Sequence, residues 1–277
     1  MPVSVYLTYN TNNSAAESFK TGLKCGYGWK LNIEQYVIET GNTDYPYRYT
    51  DADGTEHYFK YRAANSDYID EDGLGLTLVK TTGAGYTITD QQDTVYTFLT
   101  NGNLASIKDS NNNQITLTYS GGLIQYVTDG AGRNITISNT SGILTQIKDP
   151  ANRATNFTIS SNKLTSVTNP DGKSSSFTYN GDNSIATIID PDGYKLAFTY
   201  LSQGTRVDTV TEYGNGTTGQ KMSFNYTDYN TTKITTSGVN NVFENGSVDD
   251  IITTYQFDDL GRLTSTHAKA GEKQPIV

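Results

Sequence analysis

Apolar positions along this chain follow a pattern that restarts about every twenty residues. With Asp190 as the marker of one unit, its equivalents are Asp109, Asp129, Asp149, Asn169, Asp190 and Glu212, spaced by 20, 20, 20, 21 and 22 residues. An aliphatic residue stands two before each marker: Ile107, Val127, Ile147, Val167, Ile188 and Val210. Another stands five before: Leu104, Ile124, Leu144, Leu164, Ile185 and Val207. Three after comes a turn residue, Asn112, Gly132, Asn152, Gly172 or Gly193, and eight after a large apolar one, Leu117, Ile137, Phe157, Phe177 or Phe198. Weaker copies run from Asp51 to Gly54, Phe59 and Tyr61, and from Asp90 to Tyr96 and Phe98. A fixed period of this length marks a repeat architecture.

The elements follow from local chemistry. In Asp190-Pro191-Asp192-Gly193 the first aspartate can accept backbone N–H bonds and proline presets φ at the second position. Glycine at the fourth takes the positive φ that closes a type I turn into a bulged hairpin. Asn169-Pro170-Asp171-Gly172 repeats this, and Asp149-Pro150-Ala151-Asn152 puts asparagine in the glycine place. After each turn, apolar and polar residues alternate, as in Leu196, Phe198, Tyr200 or Ile115, Leu117, Tyr119, which predicts a strand with one buried face. A second turn such as Tyr179-Asn180-Gly181-Asp182-Asn183 returns the chain. The spacing of three between Leu164 and Val167 breaks the alternation and predicts a bulge or strand end.

A unit of this kind cannot fold alone. Four or five buried apolar side chains contribute roughly 2 kcal/mol each, whereas fixing about twenty residues costs on the order of 1–2 kcal/mol apiece. Neighbouring units must supply ladder hydrogen bonds and cross-strand packing. The expected fold class is therefore all-β: stacked antiparallel hairpin repeats of about 20 residues in one long, twisted, curved sheet. The composition agrees. Of 277 residues only 35% are hydrophobic and 18% charged, too few for a deep core but enough to cover one sheet face, and 21 tyrosines suit a ring lying on a sheet with its hydroxyl in water.

Charge and cysteine usage narrow the function. A net charge of −9 would repel nucleic acid. No apolar run is long enough for a spanning helix, and MPVSVYLTYN has neither the basic nor the long apolar region of a signal peptide. One cysteine, Cys25, excludes an internal disulfide. The end at Gln274-Pro275-Ile276-Val277 reads as the end of a piece of something longer.

Candidate chemistry is sparse. His57 stands six after Asp51, where other units carry Ile115, Ile135 or Leu196, and so reads as a sheet-face residue rather than a base. His267, with Lys269 and Glu272 nearby, reads as a solvent-facing residue of a polar tail. One cysteine and two histidines do not make a zinc site, and Cys25 beside Gly26 and Trp29 reads as a small buried residue. Asp51-Ala52-Asp53-Gly54, Asp70-Glu71-Asp72-Gly73 and Asp190-Pro191-Asp192-Gly193 offer carboxylates to calcium but lack the further ligands of an EF-hand loop, so hairpin turns are favoured. Asp249-Asp250 and Asp258-Asp259 read as solvated loop. Trp29 and the tyrosines allow a sugar-stacking reading. Against it, Tyr61, Tyr119, Tyr179 and Tyr200 share one repeat position, as a cross-strand ladder would require. No residue is assigned as catalytic, cofactor-binding or metal-ligating, no cofactor is expected, and the chain is read as not an enzyme.

A resemblance sharpens this reading. Tyr255 to Thr266 reads YQFDDLGRLTST, and Phe257-Asp258-Asp259-Leu260-Gly261-Arg262-Leu263 resembles the YDxxGRL motif of the Rhs/YD-repeat family, with Phe in place of Tyr. The preceding hairpins resemble degenerate copies of the same motif. Val5-Tyr6-Leu7-Thr8-Tyr9-Asn10 and Gly26-Tyr27-Gly28-Trp29-Lys30-Leu31-Asn32 resemble the lead-in before such repeats in bacterial members. The likeness covers nearly the whole chain, with Tyr213 to Ile252 only loosely matched. It implies a sheet that spirals into a hollow shell around a C-terminal toxin in bacterial members, or belongs to an adhesion protein in teneurins. The autocleavage motif and a toxin domain are missing here, so the resemblance implies an early arc of a shell. Three regions are expected: a lead-in β segment at 1–45, hairpin repeats at 46–212, and an insertion with a final repeat and polar tail at 213–277. Implied partners are the remaining repeats and passenger of the parent chain, at an extracellular or bacterial cell-surface location. The competing reading is a carbohydrate- or cell-surface-binding module with polysaccharide as partner. An open sheet edge would also invite an edge-to-edge homodimer.

Overall fold

The computed structural model describes residues 3–13, 22–201, 206–214, 219–237, 248–259 and 261–274. Apart from a 3-10 turn at Thr11–Asn13, every regular element among them is a β-strand. The all-β class of stacked antiparallel hairpins is what forms. The chain divides into two compact units, residues 1–172 and 173–277.

In the first unit β1 (Leu7–Tyr9) and β2 (Trp29–Leu31) pair as a small sheet, with Thr8 opposite Lys30. The main sheet then runs in chain order, each strand antiparallel to the next. It comprises β3 (Tyr36–Glu39), β4 (Tyr47–Thr50), β5 (Glu56–Arg62), β6 (Asp67–Asp70), β7 (Thr77–Thr81), β8 (Gly85–Thr89) and β9 (Val95–Phe98). It continues through β10 (Leu104–Lys108), β11 (Gln114–Ser120), β12 (Leu123–Thr128), β13 (Asn134–Thr140), β14 (Ile143–Lys148), β15 (Ala154–Ser160) and β16 (Lys163–Thr168).

The register explains the periodicity. Ile107 lies opposite Ile115, Leu117 opposite Val127, Val127 opposite Ile135, and Ile137 opposite Ile147. The aliphatic residue before a marker thus meets apolar residues on its neighbouring strands, except that Ile147 faces Thr155 on β15, and one face carries an apolar row. The expected bulge is present in every such unit. Thr158 pairs with Ser166 but Ile159 with Leu164, so Thr165 is the extra residue, and Gln125 and Thr145 stand in the same place. Where that residue is threonine its hydroxyl is used: Thr145 Oγ1 donates to the Ser138 carbonyl and Thr165 Oγ1 to the Thr158 carbonyl, both at 3.1 Å.

The lead-in covers the apolar face where the bulges sit. Lys24 N–H donates to the Gly142 carbonyl at 2.7 Å, Leu144 N–H to the Lys24 carbonyl at 3.0 Å, and Tyr27 N–H to the Asn162 carbonyl at 2.8 Å. Leu23 and Cys25 are buried there, together with Ile124, Leu144 and Leu164. The outer edge of β3 is also occupied by its own chain. Tyr36 bridges Asn103, Val37 N–H donates to Gly102 and Leu104 N–H to Gln35.

The second unit repeats the plan with β17 (Ser174–Tyr179), β18 (Ile185–Ile189), β19 (Lys195–Tyr200), β20 (Val207–Glu212), β21 (Gln220–Asp228), β22 (Thr231–Ser237), β23 (Val248–Phe257) and β24 (Leu263–Gln274). Phe177 lies opposite Ile188, Phe198 opposite Val210 and Phe224 opposite Ile234. The hairpin plan therefore continues into the stretch that the sequence matches only loosely. These row residues are half-buried, in contrast to Leu117, Val127 and Ile137 of the first unit.

The four aspartate markers make the same turn. Asp109, Asp129, Asp149 and Asp190 each accept, through Oδ1, the N–H groups two and four residues on, at 2.9 Å. The residue three after the marker takes positive φ: +66° at Asn112, +77° at Gly132, +62° at Asn152 and +91° at Gly193. Asparagine substitutes for glycine because its side chain tolerates the left-handed region. In the FDDLGRL motif Gly261 N–H donates to the Asp258 carbonyl at 2.9 Å with φ +76°, while Leu260 lies outside the described residues, as do 275–277.

Three turns add an ion pair. Arg133, Arg153 and Arg262, each four after the marker, hold the second carboxylate oxygen at 2.6–2.8 Å. These guanidiniums are largely exposed, so the pair itself contributes little. Arg153→Ala is accordingly expected to leave stability nearly unchanged. Asp149→Ala should lower it clearly, because two amides lose their acceptor, and Asp149→Asn should restore most of the loss. Urea titration of the three variants gives the order, and equal losses for Ala and Asn at 149 would show that the turn bonds carry no weight.

Candidate functional site

The acidic stretches that could have held calcium are used by the backbone. Asp51 Oδ1 accepts the N–H groups of Asp53, Gly54 and Thr55 at 3.0–3.1 Å. Asp70 accepts from Leu74 and Leu76, both at 2.7 Å. Among the described residues no group of three or more His, Cys, Asp or Glu side chains is placed to hold a metal ion. Asp259 accepts from the Asn230 amide at 3.0 Å, and Asp249-Asp250 lies within β23.

His57 is buried on β5 opposite Tyr49, the sheet-face position that its spacing predicts. Its ring is not idle. Nδ1 sits 2.7 Å from Asp72 Oδ2 and Nε2 3.2 Å from Asp51 Oδ2. The imidazole thereby ties the turn before β5 to the loop after β6. Burial disfavours its charge, but the hydrogen bonds and charges of Asp51 and Asp72 outweigh that and raise its pKa to about 8. Asp51 is likewise desolvated, and the His57 bond together with the Asp53 interactions still holds it below the usual carboxylate range. With both nitrogens engaged, the ring has no lone pair free to act as a base.

A second group of ionisable residues lies under the lead-in. Lys30, Glu34 and Cys25 are all fully buried. Lys30 Nζ donates to the Asp51 carbonyl, and Glu34 Oε2 accepts from Leu31 N–H at 2.9 Å and faces Cys25 Sγ at 3.8 Å. Burial, against the opposing charges of Glu34, Asp51 and Asp53, lowers the Lys30 pKa to about 8. Burial and the adjacent Glu34 push the Cys25 thiol well above its ordinary value, so it is not a reactive thiolate.

These shifts give a pH dependence of stability. The His57 pKa rises on folding, so its contribution is complete below about pH 6.5 and is lost as pH climbs through 8, a change of about 2 kcal/mol. The Lys30 pKa falls on folding, so its cost is relieved as pH rises from 8 towards 10.5. Denaturant titrations from pH 6 to 10 should therefore show a minimum near pH 8. His57→Gln should flatten the lower limb and Lys30→Met the upper. A wild-type profile already flat between pH 6 and 8 would contradict the His57 tie.

The aromatic residues divide. Trp29, a candidate sugar platform, is buried with its ring 5.3 Å from that of Tyr9. Tyr119 and Tyr200 use their hydroxyls, which donate to the Leu104 and Ile185 carbonyls at 2.7 and 2.9 Å. Tyr226 does the same to Val207 at 2.9 Å. In each case the acceptor stands at the bulge of the neighbouring strand. Tyr61 is half-exposed, 5.2 Å from Tyr68, and Tyr229 is 81% exposed. His267 is exposed on β24.

Sequence reasoning did not anticipate Asp72 as a partner of His57, the buried Lys30 and Glu34, or the role of the arginines. Only the last left a signal, an arginine four after the marker at 133, 153 and 262.

The chain was compared with known proteins. The family model "RHS Repeat" matches residues 160–195. No curated protein sequence matches the chain. Among solved structures it is similar to TcdB2-TccC3 without its hypervariable C-terminal region, at 10% identity and a TM-score of 0.35, covering 82% of this chain and 18% of that one. It is similar to the Photorhabdus luminescens Tc holotoxin pore with a mutated TccC3, at 12% identity and a TM-score of 0.36, covering 88% and 13%. It is also similar to TcdB2-TccC3-Cdc42, at 10% identity and a TM-score of 0.29, covering 89% and 16%. The chain thus spans less than a fifth of each of these chains. The matched stretch contains two successive turns, Asn169 to Gly172 and Asp190 to Gly193, and the same turn and apolar row recur outside it, so the match to the RHS repeat falls within a longer run of units built on the same plan.

Proposed function

We propose that this chain is a structural, non-catalytic segment of a large secreted or cell-surface bacterial protein, supplying hairpins to a β-shell that encloses a C-terminal passenger domain. One observation carries the reading: the repeated carboxylates are consumed by backbone amides and arginines at the turns, so the repeat builds a wall rather than a row of reactive groups. A single-layer wall suits enclosure, since its hydrogen-bonded units extend by adding more of the same. The strands beyond this piece and the passenger would be its partners. The test is the reading frame beyond Val277. Further YDxxGRL units followed by an autocleavage motif and a small unrelated domain are expected, whereas a short remainder ending in a cell-wall anchor would overturn the enclosure reading.

The half-exposed rings of Tyr61 and Tyr194 and the exposed Tyr229 favour a second reading, a carbohydrate- or cell-surface-binding module. A glycan array separates the two, because the wall reading requires no sugar affinity above background. An open edge at β24 is expected to pair with a second copy of the isolated chain, and light scattering over a concentration series should show dimer formation.

A further inference from the structure

Beside the His57 tie lies a cavity of about 210 Å³, bounded by β4, β5, β8 and β9 and by the loop that ends at Leu76. Its walls are unlike the rest of the sheet. Ile88 and Leu76 form an apolar side, the Tyr49 ring stands 6.5 Å from that of Tyr96, and Asp51 and Asp90 bring two carboxylates. The polar atoms left over are both oxygens able to accept a hydrogen bond. Asp90 Oδ1 is taken by the Gln92 and Thr94 amides, both at 2.9 Å, while among the described residues Oδ2 has no hydrogen-bond partner. The Tyr96 hydroxyl has no hydrogen-bond partner among them either. It feels the negative charges of both Asp90 and Asp51, which add to burial in raising its pKa. Gln35 is already engaged, its Oε1 by the Tyr49 hydroxyl and its Nε2 by the Asn32 carbonyl.

The charge balance is also one-sided. Around the cavity stand Asp51, Asp90 and, behind His57, Asp72. The imidazolium is shared between Asp51 and Asp72 and the Lys30 amine lies on the Asp51 carbonyl, so that against Asp51, Asp53, Asp72 and Asp90 the site stays negative. An anion is repelled. A neutral polyol would find one free donor, the Tyr96 hydroxyl, but would leave the negative charge unmatched. A group with several N–H donors, a positive charge and a short apolar stem matches what remains: carboxylate and hydroxyl oxygens for the head, tyrosine faces for the charge, and Ile88 and Leu76 for the stem.

We propose that this cavity binds a primary alkylammonium group, with Asp90 Oδ2 as its principal acceptor, the Tyr96 hydroxyl as a second, and Tyr49, Leu76 and Ile88 enclosing the methylene stem. The group is a free small amine or the side chain of a lysine from another polypeptide. This assignment does not depend on the wall function.

The probe is n-butylamine at pH 7, titrated into the full chain and followed by NMR at the His57 and Tyr96 ring resonances, with n-butanol as the uncharged control. Saturable shifts with a dissociation constant in the millimolar range are expected, in keeping with so small a ligand, with n-butanol at least ~10-fold weaker. Asp90→Asn removes the charge yet keeps the turn, since asparagine serves as marker at Asn169. It should weaken n-butylamine about 10-fold or more, and Tyr96→Phe, which retains the ring, should weaken it by a smaller factor. Comparable binding of n-butanol, unchanged binding by Asp90→Asn, or no saturable shift would each overturn the proposal. An arm with N-acetyl-lysine N-methylamide identifies the source. Binding like that of n-butylamine supports a lysine side chain, and binding of n-butylamine alone supports a free amine.

Discussion

Gly26→Ala is expected to detach the lead-in from the hairpins it covers. Gly26 has φ +103°, and a Cβ there would stand 2.7 Å from the Leu164 backbone nitrogen and 3.3 Å from Leu164 Cβ. The close approach is to backbone, so no side chain can swing aside. Leaving the left-handed region would rotate the peptide groups that place Lys24 on Gly142 and Leu144 and Tyr27 on Asn162. Strained φ costs about 1–3 kcal/mol and overpacking a similar amount, so a total of about 3 kcal/mol or more is expected. Hydrogen exchange reads the effect directly. The Lys24, Tyr27 and Leu144 amides should lose protection while those of β18 and β19 keep theirs. Unchanged protection at all three would mean that the lead-in does not depend on this contact.

The second large effect is a contrast between two leucines at one place in the repeat. Leu144 pairs with Asn139 across its bulge, and Leu263 pairs with Phe257 across the equivalent one. Leu144 is fully buried, whereas Leu263 is 55% exposed. Leu144→Ala removes a filled volume beneath the lead-in and is expected to cost about 2–5 kcal/mol. Leu263→Ala should cost less than about 1 kcal/mol, because little transfer energy and no cavity are involved. Denaturant midpoints of the two variants decide the matter. Equal losses would show that the bulge leucine matters through strand pairing alone and not through what lies over it.

Much of the fold was legible in the chain. A marker aspartate, a residue able to take positive φ three places on, and aliphatic residues two and five before specify the turn, the bulge and the buried face. Each depends on atoms within a few residues, so local chemistry suffices. The bulge expected between Leu164 and Val167 falls at Thr165 for that reason, and the same register recurs at Thr145 and Thr264. The FDDLGRL stretch at Phe257 to Leu263 was readable in the same way, as a turn with a bulge after it.

What surrounds His57 was not legible. Its position six after Asp51 predicts a residue on the buried face, and it is one. The second carboxylate, however, comes from Asp72, fifteen residues on, in the loop after the neighbouring strand β6. Lys30 carries no sign in the sequence that it will be buried beside Glu34 with its amine on the Asp51 carbonyl. The tyrosines show the same limit. Their shared position suggested ring against ring, yet at Tyr119 and Tyr200 the structure places the hydroxyl on a neighbouring strand's carbonyl, a partner that only the pairing register supplies.

Period, turn chemistry and the inward face were thus determined by the sequence itself, because they arise from φ preferences, side-chain-to-backbone bonds and alternation within one hairpin. Burial along the apolar row, the charge state of His57 and Lys30, and the cavity beside Asp90 were decided by tertiary structure. Identical repeat positions become different environments once the lead-in lies over some of them, and desolvation and charge pairing depend on what is near in space rather than along the chain.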